Sequence, residues 1–294
     1  MSRQLGLVVH VKQYIPWQLK FAAKLVLSRL PFGYHLWKRA GIFDLGGMCR
    51  PQYALDAFRR HFIPARFVRK HQNFTVLELG PGDSLFTGLI ARTFDAAHTY
   101  LVDVGPFAST EPEQFRQAAS FLRELGLHPP DLSGCSTFSD IAVACGFEYL
   151  TDGQVSLRSI PSASVDFVWS HATLAHIHRD DLLPTLLQLR RIQRRDGIGA
   201  HHTGFGSVLG GGKNDVRFSE RVWESRFIAN SGFYTNRIHC EELIHLFRVA
   251  GFQPEIIRRT YWKKLPIPRR KMAAPFCSLP DQELRLATID LQLH

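Results

Sequence analysis

From residue 74 onward, short apolar and β-branched runs alternate with longer stretches whose apolar positions recur every three to four residues. That alternation is the pattern of strands and helices wound around a parallel sheet. The runs predict strands over Phe74–Leu79, 98–102, 164–170 and 198–202. Between the last two, residues 180–192 place leucines at 182, 183, 186, 187 and 189, with acids at the start and arginines at the end. A helix macrodipole favours that polarity. Residues 240–250 predict another amphipathic helix, stopped by Gly251 before an extended FQPEII.

The first 71 residues follow a different pattern. In WQLKFAAKLVLSRL, residues 17–30, Lys20, Lys24 and Ser28 lie four apart, while Trp17, Phe21 and Leu25 fall elsewhere around the wheel. This predicts a basic amphipathic helix closed by Pro31 and Gly33, suited either to an anionic lipid surface or to a cover over the main domain. A second helix is expected over 51–61, where Tyr53, Ala54, Ala57 and Phe58 share a stripe.

Charge sharpens the division. The chain of 294 residues carries a net +10, yet residues 1–71 hold 13 Lys and Arg against only Asp44 and Asp56, so the remainder is close to neutral. A second basic excess runs from Arg258 and Arg259 through Lys263 and Lys264 to Arg269, Arg270 and Lys271, with no acid between. Such segments suit phosphates on lipid, nucleic acid or substrate. At 45% hydrophobic and 12% aromatic residues, a disordered or collagen-like chain is excluded. Five scattered cysteines without a CxxC pair point to neither a disulfide framework nor a zinc site, so no metal is expected and a reducing cytoplasm fits. No secretory leader and no apolar run of about 18 residues is seen.

The chemistry concentrates in TVLELGPGDS, residues 75–84. An apolar strand ends in Glu78, then come Gly80 and Gly82, then Asp83, Ser84 and a helix beginning near Leu85. Glycines after a first parallel strand permit a tight turn and a close ligand approach, and the next helix offers free N–H groups to an anion. The partner is Asp103, at the end of HTYLV and 21 residues beyond Gly82, placed to accept ribose hydroxyls. The nicotinamide fingerprint requires a third glycine where Leu85 stands.

The order of Glu78, Gly80, Gly82 and Asp103 resembles motifs I and II of the class I S-adenosylmethionine-dependent methyltransferases. Downstream, SLRSIP followed by SVDFVWS resembles that family's fourth-strand block, and LLQLRRIQRRDGIGA resembles its helix, turn and fifth strand. The helix near 250 and FQPEII resemble the elements around its sixth strand. The match covers about 74–262. It implies an α/β fold, a Rossmann-like methyltransferase sandwich with a mainly parallel sheet, here with an N-terminal helical extension. The domain reading is a basic helical extension over 1–71, a cofactor domain over 72–262 with an acceptor-side insertion near 203–239, and a basic segment with a final strand or tail over 263–294.

The resemblance implies S-adenosyl-L-methionine as cofactor. Gly80 and Gly82, with Asp83 and Ser84, would line its methionine and ribose, Glu78 would orient the loop or the amino group, and Asp103 would hold the ribose. Leu157 would flank adenine, with Ser170 and His171 beside the sulfonium. Because an acceptor must lose a proton, the strand-tip histidines 171, 176, 201 and 202 draw attention, and His201 is the expected base or positioning group. Residues 217–239 resemble an acceptor-side insertion of methyltransferases associated with bacterial glycan biosynthesis, with Arg217, Trp223, Tyr234 and Arg237 facing a sugar and its phosphate. Two departures stand out: Ala175 replaces a glutamate frequent after the fourth strand, and 203–212 contains no acid.

The expected function is therefore methyl transfer to an oxygen or nitrogen of a saccharide or related small acceptor, phosphorylated or lipid-linked, in the cytoplasm or peripherally at the inner membrane surface. Two alternatives stand beside it, an RNA methyltransferase and a catalytically inactive binding protein of the same fold. Nucleic acid is disfavoured, since neither an Asn-Pro-Pro-Tyr type motif nor an RNA-binding module is present.

Overall fold

The structure, a computed structural model, describes residues 17–27, 47–207, 209 and 212–294. Helices α1 (Trp17–Leu27) and α2 (Pro51–Phe62) precede β1 (Phe74–Leu79), α3 (Phe86–Thr93) and β2 (Ala96–Val102). Then follow α4 (Pro112–Glu124), α5 (Phe138–Cys145), β3 (Phe147–Leu150), α6 (Gln154–Ser159), β4 (Val165–His171), α7 (Arg179–Ile192) and β5 (Gln193–Gly204). The short helices α8 (Glu220–Trp223) and α9 (Arg226–Ala229) lead to α10 (Cys240–Val249), β6 (Pro254–Tyr261), α11 (Asp281–Arg285) and β7 (Leu286–Leu293).

The seven strands form one sheet in the order β3-β2-β1-β4-β5-β7-β6. The first five are parallel, and β7 runs antiparallel to both neighbours. The expected α/β sandwich with a mainly parallel sheet is thus the observed one. Both faces are covered, which is why the central strands read as nearly continuous apolar runs. On one face, α2 to α5 pack against Phe74, Val76, Phe167 and Trp169; on the other, α6, α7 and α10 pack against Leu77, Val168, Leu291 and Leu293.

The four expected strands form, and three features lie outside that reading. The edge strand β3 has only four residues, FEYL, too short for a periodic signal. A boundary at 262 falls between β6 and β7, which pair with each other, so the C-terminal residues complete the sheet rather than trail from it. Helix α2, counted with the N-terminal extension, is part of the core. Its Phe58 is fully buried, with ring centroids 5.1 to 6.3 Å from those of Phe62, Phe94, Phe167 and Trp169.

Helix α1 packs by its aromatic side, Phe21 stacking on Phe218 at 5.2 Å and meeting Phe233 edge-on at 5.3 Å. It covers the segment after β5, as a cover would. The side chains of Lys20 and Lys24 and the expected last residues 28–30 lie outside the described residues, so the lipid-facing stripe is not part of the structure described. Among the described residues no helix is long and apolar enough to cross a membrane.

Because Phe58 joins α2 to the sheet, Phe58→Ala should cost about 3–5 kcal/mol of unfolding free energy in urea titrations. A loss below about 1 kcal/mol would mean that α2 is only laid over the domain.

Candidate functional site

The strand order reverses at β1: β2 and β3 lie to one side and β4 and β5 to the other. In open α/β sheets such a reversal leaves a crevice beyond the carboxyl ends of the strands, where ligands bind. Here the crevice lies between the tips of β1 and β4, bordered by the loop at Gly80 and Gly82 and by Asp103 at the end of β2.

Gly80 and Gly82 both adopt left-handed backbone, with φ of 74° and 72°. Only glycine does so without strain. A Cβ at Gly80 would lie 2.4 Å from the side chain of Thr173, whose hydroxyl donates to the Gly80 carbonyl at 3.3 Å. The loop is thereby pressed against the segment that follows β4. Its other end is tied to β2, since the Gly82 N–H donates to Asp103 Oδ2 at 3.1 Å and the Val104 N–H to Oδ1 at 2.7 Å. Burial pushes the Asp103 carboxyl above its ordinary range, and these two bonds only partly offset it. Each carboxylate oxygen keeps a lone pair for a further donor.

Asp83 and Ser84 are both buried and shape the turn. The Asp83 carbonyl accepts from Ser109 N–H at 3.2 Å, and Ser84 Oγ accepts from Phe86 N–H at 3.3 Å at the start of α3. Glu78 is also buried and accepts a hydrogen bond from Thr87 of α3. Burial, aided by the charge of Asp103 and opposed by the Thr87 bond, raises its carboxyl to about 8. Glu78 is therefore largely protonated at neutral pH, a proton that an arriving cation would displace.

The fourth-strand residues divide between the two faces. Leu157 is 1% exposed and packs in the core, and its carbonyl accepts from Arg191 at 2.8 Å. Its side chain is thus part of the interior and does not line an open adenine slot. Exposed Val104, at 77%, and Val155, at 65%, instead offer apolar surface near Asp103, and Gly153 approaches Val104 closely. Ser170 is buried and shares a 2.8 Å hydrogen bond with His201 Nδ1.

His201 does not reach the crevice. It has no exposed surface and faces α10, with its ring 5.8 Å from that of Phe247. Burial lowers its imidazole to about 3, so it is a neutral core group. The expected role as base is corrected by the period of two along a strand, which turns His201 and His202 to opposite faces. His171 and His202 share the other face with α2 and stack at 4.8 Å.

The insertion residues expected to meet a sugar are already engaged. Trp223 is fully buried and donates from Nε1 to the Thr235 carbonyl at 2.7 Å, while Tyr234, 4% exposed, donates to Glu224 at 2.8 Å. The Arg237 guanidinium lies 5.3 Å from the Trp223 ring and 5.0 Å from that of Phe276, and donates to the Phe218 carbonyl. Arg217 bonds Asn214 and lies over Trp17. These contacts engage all four side chains in the packing of a cover. Beneath it lies a small cavity lined in part by Ala175, Thr203, Lys213 and Asp215, and beside that a wider one of about 280 Å³ lined in part by Arg179, Glu220, Arg237, His239 and Glu242. Among the described residues no group of His, Cys, Asp and Glu is arranged to hold a metal ion.

Three residues beside the crevice escaped motif reading, Thr173, Val104 and Tyr53 of α2, as did His61 in the core behind them. The stripe on α2 hinted at Tyr53 alone. Tyr53 Oη lies 3.3 Å from His171 Nε2, and His61 Nε2 lies 3.1 Å from His171 Nδ1.

A carboxyl near 8 in the folded chain, against an ordinary value near 4.5, means the folded state holds a proton that the unfolded chain has lost between those values. Stability therefore falls as pH rises through that window. Glu78→Gln should melt several degrees above the parent at pH 8 and level with it at pH 4, read by calorimetry. An identical pH profile for both proteins would remove the buried charge from the account.

No family model matches the chain, and no curated protein is similar to it. Among solved structures, similarity is found to an arsenic(III) S-adenosylmethionine methyltransferase from Chlamydomonas reinhardtii, at 16% identity and a TM-score of 0.46 over 83% of this chain and 72% of that one. A SAM dependent methyltransferase from Archaeoglobus fulgidus is similar at 12% identity and a TM-score of 0.45, over 83% and 93%. The complex of the Haloferax volcanii Trm112 methyltransferase activator with a methyltransferase matches at 18% identity and a TM-score of 0.44, over 90% and 98%.

Proposed function

We propose that this chain is an S-adenosylmethionine-dependent methyltransferase acting on an oxygen or nitrogen of a small acceptor. The observation that carries the reading is the Asp103 carboxylate, bonded to the Gly82 N–H at the tip of β2 and flanked by two left-handed glycines at the strand-order reversal. The residues suit this cofactor. Asp103 accepts the ribose hydroxyls, and the loop at Gly80 and Gly82 admits the methionine portion without a Cβ in the way. Glu78 faces α3 through Thr87 and sets the loop, with a proton to release when positive charge arrives nearby. Val104 and Val155 provide apolar flanks for the adenine.

S-adenosylmethionine supplies a methyl group already activated by its sulfonium. The chain's part is to align the acceptor and to exclude water. Leu85, buried at the entry to α3, stands where a dinucleotide site keeps its third glycine, which favours this cofactor over a nicotinamide.

Calorimetric titration with S-adenosylhomocysteine should give saturable binding, and Asp103→Ala should weaken it at least about tenfold, or ~1.4 kcal/mol. Absence of binding by the parent protein, or binding of NADH in its place, would overturn the proposal.

A further inference from the structure

At the end of β4, and beside it on β5 and β7, lies a polar cluster that cofactor binding does not use. His171, His202 and Asp290 are register partners across three adjacent strands, so their side chains stand in one row on the α2 face. Helix α2 meets that row with Tyr53, Arg60 and His61. Arg60 donates to both oxygens of Asp290, at 2.8 and 2.9 Å from Nη2, and His202 Nδ1 lies 2.6 Å from Asp290 Oδ1. Arg258 of β6 approaches the same carboxylate at 3.4 Å. Burial raises the Asp290 carboxyl, but the bonds from His202 and Arg60 outweigh it and hold it at about 2.

With His202 fixed in this way, its ring stacks on His171 at 25° between planes and limits the rotation of the second imidazole. Both nitrogens of His171 are then directed. Nδ1 meets His61 within the core, and Nε2 meets the hydroxyl of Tyr53, which is 37% exposed. His171 ends β4, beside the crevice at the β1 and β4 tips, and Thr173 two residues on presses against Gly80.

We propose that the Tyr53–His171 pair is the proton acceptor on the acceptor side of this site. The inference rests on the methyltransferase reading and deepens it. With a hydroxyl acceptor, the oxygen would attack the methyl carbon, a C–O bond forming as the C–S bond breaks with its electron pair passing to sulfur. The hydroxyl proton passes to Tyr53 Oη as the phenol proton moves to His171 Nε2. The imidazolium then gives its proton to water.

The surroundings of His171 fit that task. Burial, with the charges of His202 and Arg60 added and that of Asp290 opposing, lowers its imidazole to about 4, and burial with the neighbouring imidazoles lowers His61 well below its ordinary value. The His171 ring is thus neutral at physiological pH. A neutral Nε2 accepts the proton that an acceptor gives up as its bond to the methyl carbon forms. Acceptance at Nε2 requires the other proton to sit on Nδ1 and be donated to His61, and that tautomer is directly observable.

Histidine-labelled protein, examined by long-range proton–nitrogen NMR at pH 7 with S-adenosylhomocysteine as the probe, tests this. His171, assigned from the spectrum of His171→Asn, should show a protonated Nδ1 and a bare Nε2, and the Nε2 signal should shift when the probe binds. Tyr53→Phe should move the same signal while leaving the probe's Kd within about twofold. A proton on Nε2, or an Nε2 signal unmoved by a probe that does bind, overturns the proposal and leaves the cofactor reading standing. A chain that binds no S-adenosylhomocysteine overturns the cofactor reading and this proposal together.

Discussion

The hydrogen bond from the Gly82 N–H to the Asp103 carboxylate couples the two motifs on which the site is built. It is available only because Gly80 and Gly82 turn the chain through left-handed backbone after β1, aiming an N–H sideways toward the neighbouring strand. The same turn brings the Gly80 carbonyl under Thr173, so that one short loop touches the tips of β2 and of β4 at once. The sheet's reversal at β1 leaves room above this loop, and the buried Glu78 beneath it, bonded to Thr87, ties it to α3. The crevice follows from the strand order, while the N–H aimed at the carboxylate and the path into the following helix depend on two residues having no Cβ.

Strand parity does the rest of the sorting. Ser170, His201 and Leu291 lie in register across β4, β5 and β7, and their side chains enter the dry layer against α10. One residue further, His171, His202 and Asp290 form the next row and face α2, where Arg60 neutralises the buried carboxylate and Tyr53 gives the row an exposed hydroxyl. The pair at 201 and 202 thus holds two chemically identical side chains in opposite environments. Of these two rows, it is the one facing α2 that offers a base beside the crevice.

The loop at 78–84, Asp103 and the four core strands were legible in the chain because each carries a local signature: an apolar run, a turn that only glycine makes, an acid at a strand end. The face of His201 was not legible. In β5 the apolar side chains Ile198 and Ala200 share one parity with glycines around them, a pattern too short to tell which face each histidine takes. The places of β3 and β7 were hidden for another reason, since pairing at a sheet edge and insertion between β5 and β6 are set by distant partners. Trp223, Tyr234 and Arg237 have the composition of a carbohydrate surface, yet they pack on one another and bond to Glu224 and nearby carbonyls, a distinction that composition does not record. Similarly, α2 sits among the basic residues of the N-terminal quarter, while its Phe58 and Phe62 belong to the aromatic core.

The central claim is that the Gly82–Asp103 junction is the floor of a cofactor site. A crystal structure of the chain grown with S-adenosylhomocysteine tests it most directly. The account predicts the ribose hydroxyls within hydrogen-bond distance of Asp103, the amino acid portion over Gly80 and Gly82, and the sulfur toward the tip of β4. A cofactor bound elsewhere on the sheet, or an Asp103 carboxylate turned away from it, would contradict the account.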